Sequence, residues 1–253
     1  MSSRYGPWAV IVGGSEGVGA SFARLLAADG VNSVLVARKA EPLARTAAEV
    51  RALGCEARTV CADITADLDP VLAATDDLDL GLLIVNAGAN TYGAPLVEGD
   101  LAGFRTVVDL NVLAPLALLR HYGARLAARG RGGILVVGSM AGFVGQQDLA
   151  VYAAAKAFQR VLTESLWLEL QPAGVDVLHL VLGLTHTPAM ERAGLRLAGA
   201  ADPDDDAREG LAQLPHGPVH VVGANARIAA RLVGFPRAEI VAGHAAAVKR
   251  LFP

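Results

Sequence analysis

The chain has 253 residues, 53% of them hydrophobic, and a formal net charge of -3. That length and apolar fraction are enough for one sizeable core, so a single domain over residues 1–253 is expected and a disordered or fibrous chain is excluded. The charge, with no Lys/Arg run, argues against a nucleic-acid partner; the longest weakly charged window, residues 132–155, is interrupted by Asp148 and several glycines, so no membrane span is read there.

Aromatic residues make up only 5%, and the apolar fraction is mostly Ala, Val and Leu, which suits helices packed on a sheet rather than a β-sandwich. The opening Met-Ser-Ser-Arg-Tyr-Gly-Pro-Trp8 lacks the build of a signal peptide, so a cytoplasmic protein is expected. Cys55 and Cys61 are the only thiols, and a strand between them would hold them roughly 20 Å apart, too far for a disulfide. The 6 histidines show no metal-ligand spacing, and no metal is expected.

In chain order, Trp8-Ala-Val-Ile-Val12 reads as a short buried strand, followed at once by Gly13-Gly14-Ser15-Glu16-Gly17-Val18-Gly19 and a helical run from Ala20 to Ala28. Strand, glycine turn and helix together suit a dinucleotide. Glycines let the backbone approach a pyrophosphate, and the helix amino terminus offers it unpaired N–H groups. Contacts from Gly13, Ser15, Gly17, Val18 and Gly19 are therefore predicted. A second strand, Ser33 to Ala37, ends in Arg38-Lys39 where an acidic residue would accept the ribose hydroxyls of NAD; a basic pair suits the 2′-phosphate of NADP(H). Glu16 is a counter-signal, because a carboxylate near that phosphate would repel it.

Glu41-Pro42 opens an amphipathic helix that ends at Gly54, and a third strand, Ala57 to Ala62, leads into Asp63-Ile64. Asp63 either contacts an adenine or caps a turn. Residues 67–75 read as a short helix, and a fourth strand, Leu78 to Val85, delivers Asn86-Ala87-Gly88. Gly99-Asp100 then opens a long helical segment through Ala128. Asn111 in its middle competes for backbone hydrogen bonds, and Pro115 disturbs the same helix four residues later.

The run Gly133 to Gly138 forms a fifth strand that leaves the Ser139 hydroxyl at a carboxyl edge, where open α/β sheets bind ligands. A helix starting near Asp148 stacks Lys156 beside Tyr152, since residues four apart share a face. An adjacent cation favours a phenolate and draws the phenol down from about 10 toward a useful range. A sixth strand, Val175 to Leu182, ends at Gly183-Leu-Thr185-His-Thr187-Pro188. Residues 188–215 read as a lid, with Asp202, Asp204, Asp205 and Asp206 capping a helix from Ala207 to Leu214. Gly217 to Val222 is a last strand and residues 226–251 are mostly helical.

These residues resemble the short-chain dehydrogenase/reductase family over essentially the whole chain. Gly13, Gly17 and Gly19 fit its glycine motif, Asn86-Ala87-Gly88 its Asn-Ala-Gly motif, and Asn111, Ser139, Tyr152 and Lys156 its catalytic tetrad. Within the family, Tyr5-Gly-Pro-Trp8, Ser15 to Gly19, Leu78 to Gly81 and Leu182 to Pro188 look like the NADP-dependent 7β-hydroxysteroid dehydrogenases. Val12, where many members carry threonine, and Leu182, where many carry proline, depart from the pattern.

The resemblance implies an α/β, Rossmann-type doubly wound parallel sheet and an NADP(H)-dependent enzyme interconverting a ketone and a secondary alcohol. It assigns the nicotinamide ribose to Lys156, a proton-relaying water to Asn111, the nicotinamide amide and the phosphate to Gly183 and Thr187, and a homodimer or homotetramer to the assembly. Ile64 and Thr185 join the expected cofactor contacts. Tyr92, Phe143, Val144, Leu149, Met190 and Leu195 are the expected substrate wall, whose few charges favour an apolar, steroid-like or bulky cyclic substrate. A general carbonyl or 3-ketoacyl reductase is the alternative. A non-catalytic NADP(H)-binding redox sensor is another, although a sensor has no need of Ser139, Tyr152 and Lys156 together.

Overall fold

Short runs of Val, Leu and Ile flanked by turn residues form the strands β1 (Trp8–Val12), β2 (Asn32–Ala37), β3 (Ala57–Cys61), β4 (Leu80–Val85), β5 (Gly132–Ser139), β6 (Val175–Leu182) and β7 (Val219–Val221). The computed structural model describes residues 2–192, 194, 199–234, 241, 243, 244, 246, 247 and 250. Among these, the strands make one parallel sheet in the order β3-β2-β1-β4-β5-β6-β7. Parallel neighbours need long crossovers, and helices supply most of them. They are α1 (Ser2–Tyr5, ahead of the sheet), α2 (Gly17–Ala28), α3 (Ala40–Ala52), α4 (Asp69–Ala73), α5 (Leu101–Val108), α6 (Ala114–Arg129), α7 (Ala150–Leu170), α8 (Pro188–Arg192), α9 (Pro203–Gln213) and α10 (Asn225–Leu232).

Strand alternation splits the core in two. Ala9, Ile11, Leu35, Leu82 and Ile84 face α2 and α9 through Phe22, Leu26, Ala207 and Leu211. Trp8, Val10, Val12, Val34 and Val36 point to the other face, where Leu118, Tyr122 and Leu126 of α6 cover them. With both faces covered, the sheet presents its carboxyl edge for binding. The strand order reverses between β1 and β4, which opens a crevice there.

The long helix expected through residue 128 is interrupted. After α5, capped by the Asp100 carboxylate accepting from the Gly103 N–H at 2.9 Å, Asp109–Leu113 widen into a π-helical turn before α6 begins. Pro115 in the first turn of α6 has no N–H to donate, so the ladder slips instead of continuing. By length and composition alone Leu101–Arg129 could cross a membrane; here α6 packs on the sheet.

The expected lid is also narrower than read. Helix α9 begins at Pro203 rather than Ala207 and belongs to the body of the fold, with Ala207 and Leu211 in the core and Asp204 paired to Arg24 of α2 at 2.7 Å. The capping role of the acidic run is seen, since Asp202 accepts from the Asp204 N–H at 2.8 Å. Of the helix expected over 226–251, α10 accounts for the first part, and residues 235–240 lie outside the described ones.

Candidate active site

The ends of six strands line one cavity of about 540 Å³. Gly13, Ser15, Gly17 and Val18 follow β1, Arg38 and Lys39 follow β2, Asp63 and Ile64 follow β3, and Asn86, Ala87 and Gly88 follow β4. Ser139, Tyr152 and Lys156 come from β5 and α7, and Gly183, Thr185 and Thr187 from beyond β6. All the residues read from the sequence as catalytic or cofactor-binding therefore meet here, except Gly19 and Asn111, which stand directly behind the lining. Gly13 takes φ 87, a conformation that L side chains rarely adopt. The Asn86 amide donates to its carbonyl at 2.9 Å, tying the glycine turn to the end of β4.

At the reactive end, Ser139 and Tyr152 line the cavity together, the Ser139 hydroxyl accepts from the Ala141 N–H at 3.2 Å, and the Lys156 Nζ stands 5.8 Å from the Tyr152 ring centre. Lys156 is 3% exposed and donates to the Val137 carbonyl at 3.2 Å and to Gln159 Oε1 at 3.0 Å. Burial pushes its ammonium down to about 8, and pushes the Tyr152 phenol up against the opposing pull of Ser139. The expected lowering of Tyr152 by Lys156 is thus not what the charges show, because one low-dielectric pocket disfavours both ions. Asn111 Nδ2 donates to the Ala89 and Val107 carbonyls, both at 2.9 Å, while its Oδ1 is buried without a partner. A side chain on Gly88 would come within 2.9 Å of both that Oδ1 and Lys156 Nζ, so only glycine lets the two approach.

At the other end, Asp63 accepts from the Thr65 N–H at 3.0 Å and the Thr65 hydroxyl at 2.8 Å, which holds its carboxyl below the ordinary range and makes it the turn cap. It also lies 3.8 Å from the Arg38 guanidinium. Glu16 is paired with Arg192 of α8, whose hydrogen bonds hold its carboxyl low. The expected repulsion of a phosphate by Glu16 is therefore offset by an arginine that the sequence did not single out. Thr185 lines the cavity, but its hydroxyl is committed to the Asp206 carboxylate at 2.6 Å. Thr187 Oγ1 accepts from the Met190 N–H at 3.3 Å and so starts α8.

Of the expected substrate wall, Met190 lines the cavity. Phe143 and Val144 instead border a second hollow beside α7. Tyr92 turns its ring onto Phe104, 5.1 Å between centres, and its hydroxyl to the Asp100 N–H. Leu149 precedes α7 and is not among the lining residues, and Leu195 lies outside the described ones. Gln159 and Arg192 are the site residues that sequence reading missed. A glutamine three positions after Lys156, on the same helical face, is the signal that was available for the first.

The residues present fit NADP(H): Gly13 and Gly88 leave room for close approach, Arg38 and Lys39 lie at one end, and the buried ammonium and hydroxyls lie at the other. The short chain dehydrogenase profile matches residues 7–196. A 7β-hydroxysteroid dehydrogenase of Collinsella aerofaciens is 34% identical over 193 residues, covering 75% of this chain and 73% of that protein. A very-long-chain 3-oxoacyl-CoA reductase of Neurospora crassa is 37% identical over 195 residues, 74% of this chain but 58% of that longer protein. A structure solved in a study of 7β-hydroxysteroid dehydrogenase stereoselectivity superposes with TM-score 0.89 at 29% identity, covering 96% of this chain and 98% of that one. A short-chain dehydrogenase from Sphingobium yanoikuyae in complex with NADPH gives 0.80 at 29% identity, covering 96% and 95%. A site built at the carboxyl edge from a glycine turn, an Asn-Ala-Gly bend and a Ser-Tyr-Lys group, with these relatives around it, makes the chain a member of the short-chain dehydrogenase/reductase family of oxidoreductases.

Proposed function

We propose that the protein is an NADP(H)-dependent reductase that interconverts a ketone and a secondary alcohol on an apolar, bulky cyclic substrate of steroid type. The observation that carries the reaction is the meeting of Ser139, Tyr152 and Lys156 at one end of a cavity whose other end holds Arg38 and Lys39. When bound, NADP(H) supplies or accepts the hydride. In the reducing direction Tyr152 gives its proton to the substrate oxygen, and Ser139 donates a hydrogen bond to the same oxygen. Both act on negative charge that develops only on the way to the alkoxide. Lys156 restores charge balance beneath Tyr152. The free Oδ1 of Asn111 is placed to hold a water near Lys156 Nζ.

The steroid part rests on the likeness to 7β-hydroxysteroid dehydrogenases and on Met190 in the cavity wall. A 3-oxoacyl thioester is the second reading, favoured by the likeness to the 3-oxoacyl-CoA reductase. The reading extends to a cytoplasmic enzyme, in keeping with two free thiols, and to a homodimer or homotetramer joined through the exposed apolar side chains Leu113, Leu116, Phe158 and Val161. Purified protein mixed with NADPH and either ketosteroids, acetoacetyl thioesters or simple cyclic ketones, followed by absorbance, tests it. Turnover of ketosteroids at the highest kcat/KM is expected, and efficient reduction of the other two with none of the steroids overturns the substrate.

Arg38 tests the cofactor. Charge-assisted forks contribute about 1.5–3 kcal/mol, so Arg38→Asp should shift the NADPH/NADH preference about ten- to a hundredfold toward NADH. A wild-type enzyme that already prefers NADH overturns the assignment.

A further inference from the structure

Lys156 is not held by the tyrosine it serves. Its Nζ donates to Gln159 Oε1 at 3.0 Å, and Gln159 Nε2 donates in turn to the main-chain carbonyl of Asn111 at 2.8 Å. All three residues are almost wholly buried, Lys156 at 3%, Gln159 at 2% and Asn111 at 0% exposure. Pro115, four residues after Asn111, has no N–H to offer that carbonyl. One amide therefore connects the π-helical turn to the ammonium of the site, using an acceptor at one end and a donor at the other. An amide serves as such a link but not as a proton carrier at neutral pH, since it has no readily ionised form.

We infer that Gln159 is a positioning residue, which ties the Lys156 ammonium beneath Tyr152 to the main chain at Asn111. The inference rests on the reductase reading only for its kinetic consequence. The effect on Lys156 belongs to the protein alone.

Two variants separate positioning from packing. Gln159→Leu keeps similar bulk and removes both bonds, and Gln159→Glu keeps an acceptor for Lys156. The first readout is titration of Lys156 in the cofactor-free protein by NMR of ε-carbon-labelled lysine, which needs no activity. Losing an acceptor that favours the charged form should lower the Lys156 pKa by about one unit or more in Gln159→Leu, and a carboxylate should raise it in Gln159→Glu. The second is the pH–rate profile: kcat should fall about tenfold in Gln159→Leu with its alkaline limb moved to lower pH, and Gln159→Glu should recover most of the loss. An unchanged Lys156 titration in both variants overturns the inference, as does an equal loss of kcat and Tm in both with the pH profile unmoved. If the wild type reduces no ketone with either cofactor, the reductase reading fails while the titration still decides the role of Gln159.

Discussion

Tyr152 and Lys156 sit where burial favours the neutral form of each, with only the pull of Ser139 opposing it at the phenol. Tyr152→Phe should keep NADPH binding and lose turnover by at least ~10²-fold, the lower end of what a positioned general acid contributes; loss of binding with turnover retained in the bound fraction would remove that role. Lys156 also carries a stability cost. Its proton affinity is lowered from 10.5 to about 8 on folding, so between those values the unfolded chain binds more protons and stability rises with pH. Below about 8 the ammonium is charged in both states and the full cost of burying it is present. Lys156→Met, though inactive, should therefore raise Tm at pH 7, with the gain vanishing as pH climbs through that window. A lower Tm at pH 7 would mean that the bonds to Val137 and Gln159 outweigh the desolvation.

Strands β5 and β6 bring in a titratable group that the chemistry does not use. His179 of β6 packs against Gly138, where any side chain would fall on its ring, and burial with Lys156 and Arg160 nearby pushes it down to about 3. Its Nδ1 is buried without a partner. The unfolded chain takes up a proton near the ordinary 6.5, so stability falls with pH from there to about 3. His179→Leu should flatten the acid side of a Tm–pH curve, and an unchanged curve would place the acid sensitivity elsewhere.

At the same scale, the strands and the glycine turn were legible because short apolar runs and close backbone approach leave local marks. The π-helical turn was signalled only as a conflict, with Asn111 and Pro115 in one helix, because whether such a helix kinks or widens depends on what packs against it. The amino-terminal part of α9 was missed because its acidic residues read as a cap ahead of a helix from Ala207, whereas the helix already holds them and Asp206 turns inward to Thr185. The Glu16–Arg192 pair joins residues 176 positions apart, which no local pattern reveals.

For the molecule as a whole, a ligand that binds only the folded chain stabilises it by mass action, about 2.7 kcal/mol at a hundred times its Kd. For a chain of this size that corresponds to a Tm rise of roughly 5–10 °C. NADPH should give it at lower concentration than NADH, and equal shifts at equal concentrations would remove the role of Arg38 and Lys39. The cavity that does this is assembled from the carboxyl ends of six strands, where neighbours lie in register, as Ser139 does with Leu182 and Val12 with Val85 beyond the irregularity at Trp8. A slip of one residue between any two strands turns every inward side chain outward. Turnover is then a test of alignment: a chain refolded with one strand paired a step out of place would regain the circular dichroism of its sheet without regaining its activity.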